Sequence, residues 1–152
     1  MGVASGSRPD VSRVEWRDVY RHEVFPRLAA FNPDLIMVSA GFDAHRKDTI
    51  NMGYIGLREE DYEWVTDQLV QVANKCCQGR VVSVLEGGYR IQGGVVSAFG
   101  RSVAGHVRAL LNGCTSRQEW SKADAEWESD HERRVLEERE RARKLRIQQQ
   151  AQ

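Results

Sequence analysis

The sequence carries no surplus of charge: 22 lysines and arginines balance 22 aspartates and glutamates across 152 residues. A neutral chain is not built as a general nucleic-acid or membrane-surface binder. No apolar run approaches the length that spans a bilayer. The opening MGVASGSRPD has no apolar core of the kind a secretory signal needs, and Ser5 and Gly6 do not complete a myristoylation pattern after Gly2. Cysteine is scarce, at Cys76, Cys77 and Cys114, with no CxxC spacing. Adjacent cysteines rarely bridge, so reduced thiols in an intracellular protein are expected, with Cys76 or Cys77 as a small buried apolar group. A phosphate loop is missing too. Gly87-Gly88 and Gly93-Gly94 lack GxGxxG spacing and a following lysine. No Ser-His-Asp or Cys-His arrangement can be argued, and His22, His106 and His131 fall on predicted helices without an evident acid partner.

What is present is organised around residues 33–48, PDLIMVSAGFDAHRKD. Leu35, Ile36, Met37 and Val38 form a continuous apolar run between Pro33 and Gly41, which predicts a strand over 35–40 buried on both faces. Such strands belong to parallel sheets covered by helices. Polar chemistry in those sheets gathers beyond the carboxyl ends of the strands, where Asp43 and His45 fall. A second apolar run, VVSVL at 81–85, ends in Glu86-Gly87-Gly88-Tyr89, a turn that glycine allows to be sharp.

Between and around these runs, three helices are predicted. Trp16, Val19, Tyr20, Val24, Phe25, Leu28 and Phe31 recur at helical steps over 14–31, with Pro26 expected to kink the helix or start a second one, and an end at Asn32-Pro33. Residues 59–75 start with three acids that suit a helix N-terminus and bury Tyr62, Val65, Leu69, Val72 and Ala73. Residues 94–111 turn Val95, Val96, Phe99, Val103, Val107 and Leu110 to one side. Residues 1–13 are expected to be irregular. The loop 43–57 is interrupted by Gly53 and Gly56 and anchored by Tyr54. The order strand, helix, strand, helix predicts a right-handed crossover with both loops at one sheet edge. If the strands are neighbours, Asp43 and Tyr89 share a crevice.

Residues 112–121 read as a linker. From 122 to 152 nearly every residue is polar or charged, with Glu137–Arg141 and Glu140–Lys144 spaced for helical ion pairs. Trp127, Val135, Leu136, Leu145 and Ile147 are too sparse for a heptad seam, so a solvated helix or a disordered tail is expected, frayed at 148–152.

Two chemical readings of the first loop stay open on residue types alone. Asp43 and His45, if extended, point to one side and could ligate a cation. Alternatively Asp43 caps backbone donors in a turn and His45 is exposed. Tyr89 is either a packed aromatic or a hydroxyl that stabilises negative charge growing on a bound carbonyl. Glu86 is a candidate buried acid, or it accepts hydrogen bonds from the turn's own backbone.

FNPDLIMVSAGFDAH followed by GRVVSVLEGGY resembles the zinc-dependent histone deacetylase family, closest to its class II branch and the related acetylpolyamine amidohydrolases. The resemblance covers roughly residues 14–111. It implies an α/β fold: part of an arginase-like parallel sheet with flanking helices, followed here by a charged C-terminal helix. It implies Zn2+ as cofactor, with Asp43 as a metal ligand. Tyr89 would hydrogen-bond the substrate carbonyl, and Gly87 and Gly88 would bring the backbone close to the substrate pocket. His45 matches no ligand. The substrate implied is an acetylated histone or another acetyl-lysine protein, in the nucleus, the cytoplasm or both. The family takes two further zinc ligands from an upstream Asp-x-His and its base from a His-His pair. This sequence has no His-His, and its one Asp-x-His is 43–45. The 152 residues are therefore expected to be the C-terminal part of a deacetylase domain, inactive alone. The alternative is a non-catalytic interaction protein that binds a partner through 122–152. Departures from the family pattern are Thr49, Arg90 and extra residues around 50–54.

Overall fold

The computed structural model describes residues 9–50 and 55–150. The chain runs α1 (Pro9–Val19), a π-helical segment (Tyr20–Val24), α2 (Phe25–Phe31), β1 (Ile36–Ala40), α3 (Glu59–Cys77), β2 (Val81–Leu85), α4 (Ala98–Thr115) and α5 (Lys122–Gln150). β1 and β2 pair in parallel, from Ile36 beside Val81 to Ala40 beside Leu85. This is a helix-rich mixed α/β unit on a small parallel sheet, compatible with the fold that the motifs imply.

Of the two outcomes expected at Pro26, the structure shows the start of a second helix. The first helical stretch passes through one π-helical turn, and Pro26 sits at the start of α2, where its missing N–H costs nothing. α2 stops at Asn32, which adopts a left-handed conformation with φ 53°. Residues 9–13, expected to be irregular, belong to α1. Arg13 there donates to the buried carboxylate of Asp61 at 2.6 Å and 3.0 Å, a tertiary tie that outweighs local composition. Asp61 also takes Arg17 at 2.9 Å and the Arg58 N–H at 2.8 Å. The acid expected to serve the α3 dipole is thus the node joining α3 to α1.

The sheet departs from expectation on one face. Met37, Ser39, Val82 and Val84 alternate with the residues that face α3 and α4, and all four are exposed. Met37 is 71% exposed where a strand buried on both faces was expected. Helices α3 and α4 cover the other face, and no described element covers this one. The opposite face packs Ile36, Phe25, Val72, Ala73, Cys77 and Trp120 into one core. Ala40, Phe42, Leu57 and Tyr62 form a second core below the carboxyl ends of the strands. All three cysteines are free, and Cys77 is fully buried as a small apolar group.

α4 starts at Ala98, four residues later than the periodicity suggests. The Ser97 hydroxyl caps it by accepting the Gly100 N–H at 3.0 Å, and Val95 and Val96 are left exposed in the preceding loop. Residues 112–121 are not a free linker. α4 continues to Thr115, the Asn74 side chain donates to the carbonyls of Ser116 and Gln118, and Trp120 is buried with its backbone N–H on the Gln71 carbonyl.

The charged tail is a helix over all its described length, including residues 148–150, which were expected to fray. Its first half is docked, contrary to the solvated tail expected. Ala125 and Ser129 are buried. Glu128 and Glu132 reach the Arg21 guanidinium, which is fully buried and stacked 4.7 Å above the Trp64 ring. Burial alone would weaken the Arg21 charge, but the two carboxylates raise its pKa. From 141 to 150 every residue is exposed. Tyr54 and Gly53, named above as loop features, lie outside the described residues.

Candidate active site at the carboxyl ends of β1 and β2

The ladder continues past the last strand residues. Glu86 N–H donates to the Ala40 carbonyl at 3.1 Å, and Phe42 N–H donates to the Gly87 carbonyl at 2.8 Å. These two bonds bring the 41–45 loop and the 86–89 loop side by side, as parallel strands require. Asp43 then packs against the Gly87 backbone. A Cβ built at Gly87 would stand 3.2 Å from Asp43 Cγ and Oδ1. Gly88 has φ 130°, a conformation side chains rarely adopt, and a Cβ there would collide with the Phe99 ring. So Gly87 permits a close approach, and Gly88 permits a sharp turn over Phe42 and Phe99. Tyr89 follows and is 59% exposed.

Asp43, Gly87, Gly88 and Tyr89 are therefore gathered at one edge. His45 is not available as a ligand, and it is not exposed either. It is buried, its Nδ1 accepts the Lys47 N–H at 3.0 Å, and its Nε2 faces Glu59 at 3.3 Å. Asp43 and Ala44 lie in a turn, so the extended geometry that would align Asp43 with His45 does not occur. Glu86 is exposed and accepts the Ser39 hydroxyl at 2.9 Å, which rules out the buried acid.

The loop itself is stitched back on Leu57. Leu57 N–H donates to Ala44 at 3.0 Å, and Arg46 N–H donates to Leu57 at 2.8 Å. Glu59, just beyond, is gripped by Arg101 at 2.6 Å. Its partial burial raises its pKa, but its own backbone N–H, Arg101 and His45 overcome this and hold it at about 2. Tyr62 has its pKa raised, first by burial and then by the surrounding carboxylates including Asp43, so it remains a neutral phenol.

A second polar chain was not visible in the sequence. Ser83 lies 2.8 Å from His106 Nε2, and His106 Nδ1 lies 2.7 Å from Thr66 Oγ1. Thr66 gives its one hydroxyl proton to the Tyr62 carbonyl at 2.6 Å, so it accepts from His106 Nδ1–H. That leaves Nε2 to accept from Ser83. Burial lowers the His106 pKa and keeps the ring neutral. The chain ties β2 to α3 and α4.

Among the described residues no group of three histidines, cysteines, aspartates or glutamates could hold a metal ion. A catalytic zinc takes three protein ligands. The described residues alone therefore do not fit a resident zinc, and Asp43 could supply one ligand at most. No described helix is long and apolar enough to cross a membrane.

The architecture defines an α/β domain that presents a carboxylate, two glycines and a tyrosine beyond the ends of adjacent parallel strands. The Histone deacetylase domain profile matches residues 4–110, and the chain belongs to that family. It is 44% identical over 92 residues to type-2 histone deacetylase 2 of Dictyostelium discoideum, covering 60% of this chain and 5% of that protein. It is 34% identical over 98 residues to the chloroplastic histone deacetylase 14 of Arabidopsis thaliana, covering 64% and 22%. To human histone deacetylase 9 it is 37% identical over 84 residues, covering 55% and 8%. The chain thus spans a small part of the length of each of these relatives.

Proposed function

We propose that these residues form the C-terminal part of a zinc-dependent lysine deacetylase domain, which hydrolyses the amide of acetyl-lysine in a histone or another acetylated protein. The observation that carries this reading is the Phe42–Gly87 bond, which sets the Asp43 loop and the Gly-Gly-Tyr loop against each other. In this reading Tyr89 donates its hydroxyl proton in a hydrogen bond to the acetyl oxygen as negative charge grows there. Gly87 and Gly88 leave the backbone bare, so an extended lysyl chain can lie close to it. Asp43 serves as one ligand. A zinc held by Asp43 together with ligands from outside the described residues would supply polarisation of the carbonyl and activation of water. The other ligands and a histidine base come from outside the described residues.

The 152-residue chain alone is then inactive on an acetyl-lysine peptide. Supplied with an upstream deacetylase segment carrying His-His and Asp-x-His, it gains turnover, and Tyr89→Phe abolishes it. Turnover by the 152-residue chain alone that Tyr89→Phe destroys would disprove the division of the site. Sequencing the 5′ end of the transcript asks whether that segment is encoded in the same message. An intracellular location, nuclear or cytoplasmic, goes with this substrate class.

A second reading is a non-catalytic interaction protein. It is favoured by one feature: α5 is exposed on all sides from 141 to 150. Removing residues 141–152 and retaining every bound partner would count against it.

A further inference from the structure

The backbone that carries Tyr89 is held by a buried carboxylate five positions beyond Asp43. Past Glu86, residues 87–97 between β2 and α4 are irregular, so neither ladder nor helix satisfies their amides. Asp48 does so for two of them. It is 3% exposed, and its Oδ2 accepts the N–H of Tyr89 at 2.7 Å and of Arg90 at 3.0 Å. Its Oδ1 accepts the Ile50 N–H at 3.1 Å.

The carboxylate is itself fixed. Asp48 N–H donates to the His45 carbonyl at 2.8 Å. The His45 ring is buried between the Lys47 N–H and Glu59, and Arg101 locks Glu59 in turn. A buried ionised acceptor facing two successive backbone N–H groups makes charge-assisted hydrogen bonds, stronger than neutral ones. The loop's carbonyls are tied separately, Gly87 by the Phe42 N–H, Arg90 by the Phe99 N–H and Val96 by Arg101, but burial adds little there: Tyr89, Ile91 and Val95 are all exposed.

We propose that Asp48 is a positioning residue for Tyr89: its carboxylate fixes the backbone from which the phenol is presented, at the sheet edge that also carries Asp43. The proposal rests on the reading of Tyr89 given above. With Cα fixed, the hydroxyl can move only through the two side-chain torsions of tyrosine. That restriction matters because a misplacement of about 1 Å can cost roughly a hundredfold in rate.

Two measurements test it. On the 152-residue chain, amide hydrogen exchange by NMR compares Asp48→Ala and Asp48→Asn with the natural sequence. Asp48→Ala should speed exchange at Tyr89 and Arg90 by about tenfold or more while the Val72 and Ala73 amides in α3 keep their rates. Asp48→Asn keeps the shape and one acceptor, so it should fall between the two, and it keeps the test readable if the alanine variant fails to fold. In the deacetylase assembled with an upstream segment, Asp48→Ala should lower kcat by about tenfold or more with KM nearly unchanged, and Asp48→Asn should restore part of it. Unchanged exchange at Tyr89 and Arg90 overturns the proposal. So does faster exchange with an unchanged kcat in an enzyme that Tyr89→Phe inactivates. If Tyr89→Phe itself leaves turnover intact, the functional reading of Tyr89 has failed, and the exchange rates still decide whether Asp48 holds the loop.

Discussion

Gly87 and Asp43 are in backbone-to-carboxylate contact, so close that a single added carbon at position 87 would press on the carboxylate from 3.2 Å. Neither residue can shift freely, because Phe42, next to Asp43, donates its N–H to the Gly87 carbonyl. Gly87→Ala should therefore turn the Asp43 side chain away. In an assembled zinc enzyme, metal affinity should fall by roughly 10–100-fold, as when a ligand's supporting contacts are lost. Chelator competition measures it. Unchanged affinity would mean that Asp43 is not a ligand or that the loop relaxes without cost.

Helix α5 should prove part of the fold. Deleting residues 122–152 strips Arg21 of Glu128 and Glu132 and leaves Asp18 as its carboxylate neighbour at 3.2 Å. Losing two of its three carboxylates, together with the burial of Ala125 and Ser129, should cost on the order of 3 kcal/mol. Truncation after residue 140 removes exposed side chains and should cost no more than about 0.5 kcal/mol. Urea unfolding of both truncations compares them, and equal stability would show that α5 is an appendage.

Asp61→Asn should be among the most damaging single changes. The buried carboxylate neutralises Arg13 and Arg17 together. Loss of its charge leaves two partly buried cations side by side, with Glu132 still paired to Arg17, a cost of about 3 kcal/mol. The melting temperature of the purified variant checks it. A shift too small to distinguish from that of an exposed substitution would sink the node.

Stability should weaken below neutrality through His106. The folded protein holds this ring neutral with a lowered pKa, whereas the unfolded chain takes up a proton near the ordinary value of about 6.5. Between the folded pKa and about 6.5 the unfolded state binds more protons, so the contribution is present above about 6.5 and is lost as pH falls. A second loss belongs to Glu59, whose pKa is lowered to about 2 from 4.5, and it sets in over that window. Denaturant midpoints across the acid range should show the first decline in the natural sequence and a flatter one in His106→Gln. Parallel profiles would place the proton uptake elsewhere.

The uncovered sheet face should be expendable for the isolated chain. Val82 is 45% and Val84 51% exposed. Changing both to threonine should alter stability by no more than about 0.5 kcal/mol per site while reducing binding of a hydrophobic dye. A large loss of stability would show that something covers this face in solution.

Much of the fold was legible because its signals are local. VVSVL between Arg80 and Glu86 is a strand at those bounds, and the acid-led stripe from Glu59 is a helix that runs two residues past the expected end. The α4 boundary was missed because Val95 and Val96 continue an apolar period that the Ser97 cap cuts off. His45 was misread because a ring's burial depends on Glu59 and on the turn at Lys47. Asp48 escaped notice because the Tyr89 and Arg90 amides it binds lie 41 and 42 positions away, and a lone aspartate in a loop has no periodic signature.

The sequence by itself determined the two parallel strands, the helices between and after them, and the family. Apolar periodicity and two short motifs are properties of neighbouring residues, and they survive without any knowledge of contacts. Tertiary structure alone decided three things: the close seat of Asp43 on Gly87, the anchoring of Tyr89 by Asp48, and the docking of a charged helix over Arg21. Each depends on a polar group finding its partner far along the chain. A charge or an amide is stable in the interior only when that partner is there, and no local pattern announces it.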